Sequence, residues 1–163
     1  MSNIRVQTYS SDYARAVADL FHAAVHAIDP ALYDAAQKAV WAPTPPDYEY
    51  WSRRLEHKRP WLAFIDGRVA GFIELDADGY IDCTYVHPDF QHRGVATALY
   101  RRLESEALAQ GIERLYVDAS LVARPFFVHC GFKVIKENRV IRKGVSLANF
   151  TMEKRLSRQK EAG

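Results

Sequence analysis

One segment of the chain combines a strand end, a turn and a helix start: Tyr85-Val86-His87-Pro88-Asp89-Phe90-Gln91-His92-Arg93-Gly94-Val95-Ala96-Thr97. The first amide groups of a helix lack intrahelical partners, and the helix dipole is positive at that end. A diphosphate is a strong acceptor for such a terminus. Gly94 and Ala96 would let it approach the backbone. The segment therefore indicates a phosphate-binding loop, although a plain strand-to-helix turn has the same local pattern.

The residues around this loop predict a helix after it and three antiparallel strands before it. Apolar residues recur at helical spacing over 94–110, and Gly111 supplies a stop. Asp66-Gly67 is a dipeptide that two-residue hairpin turns prefer. We therefore expect strands at 61–65, 68–75 and 80–87.

Further elements are predicted on both sides. Downstream we expect a buried strand at 114–119, a short helix at 123–130, and late strands at 132–135, 140–142 and 149–154. Upstream we expect a strand at 4–8 and a helix after Asp12. Asp29-Pro30 should begin a second helix and Asp47 a third. The order predicts a mixed α/β domain built on one central sheet.

Composition is typical of an ordinary globular protein. The chain has 163 residues, 48% of them hydrophobic and 26% charged, with a net charge of +2. This balance gives no reason to expect nucleic acid or membrane as a partner. Two isolated cysteines predict neither a disulfide framework nor a zinc site, and fit a cytoplasmic location. We expect one domain over 1–156 and a frayed tail over 157–163.

Two motifs give this chain a resemblance to a known family. Gln91-x-x-Gly94-x-Ala96, after Val86-x-Pro88, resembles the acetyl-CoA loop of the GNAT acetyltransferase superfamily. A second stretch resembles that family's downstream signature, a small residue, two aromatics and a terminal Gly-Phe. It reads Ala123-Arg124-Pro125-Phe126-Phe127-Val128-His129-Cys130-Gly131-Phe132. The resemblance implies an acetyl-CoA-dependent N-acetyltransferase with a mostly antiparallel sheet of six to seven strands, flanked by helices and splayed at the cofactor.

A finer resemblance is to a small bacterial branch of uncharacterised acetyltransferases. It rests on four short segments: Trp41-Ala42, Ile81-Asp82, Val117-Asp118-Ala119-Ser120 and Pro125-Phe126-Phe127.

The family resemblance also implies which residues would meet acetyl-CoA. Backbone groups of Tyr85, Val86 and His87 would pair with the pantetheine arm and the acetyl carbonyl, and Ser120 would bond the arm. The aromatic pair would flank the thioester, although both rings suit a core and Ser120 could simply cap the following helix. The cofactor loop would comprise Gln91, His92, Arg93, Gly94, Val95, Ala96 and Thr97, and the aromatic pair is Phe126 and Phe127.

One departure from the family pattern affects the chemistry. The second aromatic of the downstream signature is often a tyrosine whose hydroxyl protonates the leaving thiolate, and here it is Phe127. Either Tyr85, Cys130 or water supplies the proton, or the thiolate leaves unassisted. The same departure keeps open an alternative from another class, a non-catalytic acyl-CoA-binding sensor or partner module.

Candidate bases for the acceptor amine are acidic residues near the loop. Asp82 lies on the strand that leads to it, and Glu74 on the preceding strand. The period-two rule predicts Tyr80, Asp82 and Thr84 on one face, opposite Ile81, Cys83 and Tyr85. Each acid could instead be satisfied by a local hydrogen bond.

Substrate contacts are expected from the N-terminal third, which often lines the acceptor side in this superfamily. We single out Phe21, His22 and Trp41. His22 and His26 are one helical turn apart, but no third ligand with zinc spacing follows, so no metal is expected. The acceptor would be a primary amine of a small molecule or peptide, attacked directly in a ternary complex. A homodimer fits the resemblance as well.

Overall fold

The computed structural model describes residues 3–157. All but Ser157 of the predicted tail lies outside the described residues. Seven strands form one sheet in the order β1-β2-β3-β4-β5-β7-β6, and every neighbouring pair is antiparallel except β4 with β5. The strands are β1 (Arg5–Thr8), β2 (Trp61–Ile65), β3 (Arg68–Leu75), β4 (Tyr80–Val86), β5 (Arg114–Ser120), β6 (Lys133–Arg142) and β7 (Val145–Arg155). The predicted fold class is confirmed.

Helices cover both faces of the sheet. They are α1 (Ala14–His26), α2 (Ala35–Trp41), α3 (Tyr48–Lys58), α4 (Val95–Ala109) and α5 (Arg124–His129). Leu99 and Leu103 of α4 are fully buried in one core cluster, and Leu20 of α1 with Leu55 of α3 in the other. Burying each such leucine stabilises the fold by about 1.5–3 kcal/mol.

Several sequence predictions of local structure are confirmed. Asp66 and Gly67 both have positive φ, 50° and 77°, as the predicted two-residue hairpin turn requires. The Asp47 side chain accepts a hydrogen bond from the Tyr50 amide and so caps α3. The helix after the loop begins at Val95 and ends at Ala109, just before Gly111.

The predicted boundaries of the second helix and of the late strands were wrong; the last strand, for example, begins at Val145 rather than 149. The second helix begins at Ala35 because Asp34 and Gln37 form a reciprocal capping box there, whereas Asp29 only accepts from the Ala31 amide in a turn. The separate strands predicted at 132–135 and 140–142 are one strand, β6. This strand is at the edge of the sheet and is mostly exposed, so polar residues on both faces obscured its periodicity.

Strand β4 contains a bulge that overturns the predicted face assignment. Asp82 and Cys83 together lie opposite Glu74, because Ile81 pairs with Leu75 while Thr84 already pairs with Ile73. Ile81 consequently packs in the core cluster beneath α4, whereas Cys83 and Tyr85 pack in the cluster beneath α1 and α3. The bulge therefore turns Asp82 and Cys83 toward the same side of the sheet.

Candidate active site

The sheet opens between β4 and β5. The two strands pair only at Tyr80↔Tyr116 and Ile81↔Val117, and no pairing between them continues beyond these positions within residues 3–157. Two cavities meet at the opening, a larger one of about 570 Å³ and a smaller one of about 370 Å³. We call the residues that line both cavities the junction: Trp41, Thr84, Tyr85, Ser120, Ala123 and Phe127.

The smaller cavity ends at the N-terminus of α4. Gly94 caps this helix with φ of 82°, a conformation that glycine adopts without strain. A Cβ at Gly94 would meet only one side-chain atom, Ile4 Cδ1 at 3.9 Å, so the backbone angle rather than packing favours glycine. The 15-residue α4 directs its first amide groups and its positive dipole end at this cavity. The arrangement suits an anionic group such as a diphosphate.

Most of the residues expected to contact the cofactor line the smaller cavity. The ones that do are Tyr85, Val86, Gln91, His92, Gly94, Val95, Ala96, Thr97, Ser120, Phe126 and Phe127. His87 and Arg93 do not line it. The His87 ring accepts from the Asp89 amide, and the Arg93 guanidinium lies 5.5 Å from the Phe90 ring centroid.

The backbone groups of β4 point alternately toward β3 and toward the opening. The His87 amide donates to the Ala70 carbonyl, so Val86↔Gly71 is a non-hydrogen-bonded pair of the antiparallel ladder. By the alternation of an antiparallel ladder, the N–H and C=O groups of Thr84 and Val86 point away from β3 into the opening. Those of Tyr85 point toward β3, so its side chain rather than its backbone is available at the junction.

Tyr85 has a distinctive environment at the junction. Its hydroxyl oxygen accepts a hydrogen bond from Trp41 Nε1 at 3.0 Å, and its ring packs on Phe21 and Phe72. Burial raises the pKa of the Tyr85 phenol well above its usual range. The hydroxyl therefore keeps its proton at neutral pH. Phe127, the position where the family often has tyrosine, is almost fully buried and contributes only its ring.

The β4 bulge assembles a charged cluster beneath the larger cavity. Arg54 Nη2 lies 2.6 Å from Glu74 Oε1 and 3.0 Å from Asp82 Oδ2. Lys58 Nζ lies 2.9 Å from the same Asp82 oxygen. Asp82 lines the larger cavity, whereas Glu74 is fully buried and lines neither cavity.

Glu74 completes the bulge. Its carboxylate accepts a hydrogen bond from the Cys83 amide at 3.3 Å, within the irregular part of the β3–β4 pairing. Burial raises the pKa of the Glu74 carboxyl, and the Arg54 guanidinium acts in the opposite direction. The pair fixes Arg54, which in turn holds Asp82.

Oxygen and sulfur atoms of Glu74, Asp82 and Cys83 lie within 4.8 Å of one another, as metal ligands would. Arg54 Nη2 contacts all three, including Cys83 Sγ at 3.3 Å, so a guanidinium already satisfies this donor set. The two histidines considered for zinc have other partners. His22 Nε2 is 2.8 Å from Thr44 Oγ1, and His26 Nε2 is 2.7 Å from the Ala42 carbonyl.

The larger cavity is walled by aromatic side chains and includes the three expected substrate residues. Phe21, His22 and Trp41 all line it. Burial, with a contribution from neighbouring His26, lowers the pKa of the His22 imidazole, which is therefore neutral at neutral pH. The remaining aromatic walls are Tyr33, Tyr50, Trp51, Tyr80, Tyr85 and Phe127.

Sequence reasoning missed several residues of the site. Arg54 could have been suspected from its i, i+4 spacing with Tyr50 and Lys58 on one face of α3. Asp118 lines the larger cavity and accepts from the hydroxyls of Tyr80 and Thr151; its segment, Val117-Asp118-Ala119-Ser120, entered the finer resemblance, but no role was expected of Asp118 itself. Cys130, considered as a proton donor, lines neither cavity, and burial raises the pKa of its thiol to about 11.

Comparisons with known proteins identify the family and the fold. The acetyltransferase (GNAT) domain family matches residues 30–156. The uncharacterised N-acetyltransferase YafP of Escherichia coli (strain K12) is 34% identical over 153 residues, which cover 93% of this chain and 96% of YafP. The crystal structure of a GCN5-related N-acetyltransferase from Rhodopseudomonas palustris superimposes with a TM-score of 0.89 at 35% identity, covering 96% of this chain and 98% of that one.

A more distant structure shares the fold. The yncA protein of Salmonella typhimurium, solved with its cofactor acetyl-CoA, has a TM-score of 0.71 at 19% identity, with 96% of each chain covered.

The fold and the family match together define an acyltransferase. This chain belongs to the GNAT acetyltransferase family and is an acetyl-CoA-dependent N-acetyltransferase. Among the described residues, no helix has the length and apolarity needed to cross a membrane.

Proposed function

We propose that the protein transfers the acetyl group of acetyl-CoA to a primary amine of a small molecule or peptide, by direct attack in a ternary complex. The observation that supports this most is the meeting of the two cavities at the junction. A donor in the smaller cavity and an amine in the larger cavity would meet at the junction, and each could enter through its own cavity. We assign residues 1–156 to one acyl-CoA N-acyltransferase domain.

The donor would lie along β4 and α4. The amides at the start of α4 would hold the diphosphate, with Gln91, His92 and Thr97 beside it. Val86 would offer its backbone groups to the pantetheine arm, since they point into the opening. Phe126 and Phe127 would flank the thioester. Ser120 accepts from the Ala123 amide, so its own proton remains available to the arm.

Asp82 is proposed as the group that removes the proton from the acceptor. An alkylammonium with pKa near 10.4 is only about one part in two thousand neutral at pH 7, a cost of roughly 4–5 kcal/mol. A base that takes this proton offsets much of the cost. One Asp82 oxygen is held by Arg54 and Lys58, and the side chain faces the larger cavity. Glu74 would act through Arg54 as a positioning residue.

Tyr85 is proposed as the acid for the other half of the reaction. The amine nitrogen forms a bond to the carbonyl carbon while the carbon–sulfur bond breaks, and the thiolate takes the proton of the Tyr85 hydroxyl. Charge that develops on the carbonyl oxygen would be met by a backbone N–H of Thr84 or Val86. The tyrosine is half-buried and protonated, and it lies at the junction where Phe127 has no proton to give.

A covalent acyl-enzyme is not needed. Cys83 lines the larger cavity, but burial raises the pKa of its thiol well above the usual range, and the carboxylates beside it, Glu74 and Asp82, are ion-paired. A protonated thiol is a poor nucleophile. This supports direct transfer over a ping-pong route.

We also propose a homodimer through the β6 edge. The strand is long and exposed, and its Ile141 side chain is 72% exposed. An edge strand offers unpaired backbone groups to a second strand, and a twofold axis can pair such an edge with itself.

The test of the function is calorimetric titration of the purified protein with acetyl-CoA, with ATP and NAD as controls. We expect selective micromolar binding, followed by CoA release when a panel of primary amines is added. A folded protein that binds no acetyl-CoA would refute the proposal. Binding without CoA release across amines of varied size and charge would refute the catalytic part of it.

A further inference from the structure

The Thr84 hydroxyl has no hydrogen-bond partner although it is buried. Among residues 3–157, only Tyr9 has another buried side-chain oxygen in the same condition. A hydroxyl without a partner in the interior lowers stability, so such groups are rare and call for an explanation. Tyr9 lines neither cavity, whereas Thr84 lines both.

The position of Thr84 suggests what the hydroxyl is for. Thr84 directly precedes Tyr85 in β4. It lies beyond Ile81, the last β4 residue that pairs with β5. The other hydroxyls of the junction have partners: Tyr85 accepts from Trp41 Nε1, and Ser120 accepts from the Ala123 amide. Thr84 therefore has the one unpartnered hydroxyl among the described residues that line both cavities.

Threonine can present this hydroxyl to the opening without moving the strand. Rotation about its Cα–Cβ bond exchanges the hydroxyl and the methyl group between staggered positions. The half-buried side chain already forms part of both cavity walls. A ligand with a hydrogen-bonding group at the junction would supply the missing partner.

We infer that the Thr84 hydroxyl hydrogen-bonds the acyl-thioester end of the donor and orients the acetyl carbonyl toward the larger cavity. Thr84 is then a positioning residue, distinct from the proposed acid and base. The inference rests on the proposed function, because the reacting carbonyl must lie where the two cavities meet. The thioester carbonyl is the acceptor of the hydrogen bond, and no bond to Thr84 forms or breaks.

Thr84→Val tests this directly, because valine has the shape of threonine without the hydroxyl. We expect an unchanged or higher melting temperature, since an unpartnered hydroxyl is removed. We expect the Kd for acetyl-CoA to rise about tenfold, the loss of one hydrogen bond, while the Kd for free CoA changes by about twofold or less. Thr84→Ser should restore acetyl-CoA affinity. Thr84→Ala gives a second hydroxyl-free comparison if valine disturbs the strand.

Tyr9→Phe is the matched control, because it also deletes a buried unpartnered hydroxyl but lies away from both cavities. It should match the stability change without any change in acetyl-CoA affinity. Wild-type affinity in Thr84→Val would overturn the inference and leave the proposed function standing. Equal weakening of acetyl-CoA and CoA would place the contact on the arm and overturn the thioester assignment. A wild-type protein that does not bind acetyl-CoA would overturn the function and this inference together.

Discussion

Tyr85 and Phe127 are the two junction residues that bear on the proposed protonation of the leaving thiolate. The Phe127 ring lies at the junction, where the family often has a tyrosine. Tyr85 lines the same junction, and the Trp41 indole fixes its oxygen as an acceptor. Its own proton has no acceptor among residues 3–157 that the structure records. The uncommitted phenol proton at the junction supports the proposal that Tyr85 is the general acid.

Tyr85→Phe should lower kcat by about a hundredfold, since it deletes the proposed proton donor while keeping the ring. The KM for acetyl-CoA should stay close to the wild-type value, because the substitution keeps the ring and changes no backbone group of β4. Initial rates of CoA release measure both constants. Tyr100→Phe deletes another buried hydroxyl, one bonded to Glu104 away from the cavities, and should leave kcat unchanged. A wild-type kcat in Tyr85→Phe would exclude Tyr85 as the acid.

Asp82→Asn should lower kcat by about a hundredfold with near-normal acetyl-CoA affinity, because the amide cannot take a proton from the acceptor. The shape of the pH–rate profile should change as well. Asp76→Asn is the control: Asp76 also pairs with Lys58, at 2.9 Å, but lines neither cavity. An unchanged pH–rate profile in Asp82→Asn would remove Asp82 as the base. An equal loss of kcat in both variants would indicate that Asp82 contributes only by positioning Lys58.

At the scale of elements, the β4 bulge and helix α3 together create the acidic side of the site. Regular alternation would put Asp82 and Cys83 on opposite faces. The extra residue opposite Glu74 turns both toward α3, where Arg54 and Lys58 are one helical turn apart. The ion pairs are partly or fully shielded from water, so removing one partner would cost more than breaking a surface pair.

The start of α4 is the element that we expect to bind the diphosphate. Gly94→Glu should raise the Kd for acetyl-CoA by about a hundredfold or more, because a carboxylate would compete for the helix N-terminus and repel the phosphates. Gly111→Glu is the matched control at the other end of the same helix, with a similar φ of 77° and open space around it. Both variants should lose about 1 kcal/mol of stability from backbone strain. Wild-type affinity in folded Gly94→Glu would refute the loop assignment.

At the scale of the whole molecule, the sheet has two different edges. β1 is a short edge strand of 4 residues, whereas β6 has 10 residues and exposes Val134, Ile135 and Ile141. A long, exposed edge strand offers its unpaired backbone groups to another strand.

Ile141→Lys should shift the protein from dimer to monomer, because a charge would be placed on the proposed contact strand. Sedimentation velocity over a range of concentrations measures the change. Leu32→Lys, on another exposed apolar side chain (44% exposed), should leave the dimer intact. A wild-type protein that sediments as a monomer at all concentrations would contradict the dimer.

The sequence alone was sufficient for the features that depend on neighbouring residues. Periodicity, turn dipeptides and capping residues predicted the strands β2 to β5 and the helices α1, α3 and α4, because these signals are local. The two GNAT-like motifs indicated the family, and the end of α4 that we propose as the diphosphate site, for the same reason. Local signals were ambiguous at Asp29 and Asp34, and they were hidden in the exposed strand β6.

The tertiary structure decided what depends on residues distant in the chain. The bulge that redirects Asp82 arises from the register between β3 and β4, and sequence alternation cannot show a register. Arg54 reaches Glu74 and Asp82 only because α3 packs across that strand pair. In the sequence Thr84 is an ordinary strand threonine, and only the fold shows that its hydroxyl is buried without a partner at the opening between β4 and β5. Long-range packing fixed these positions, and local sequence patterns contain no information about it.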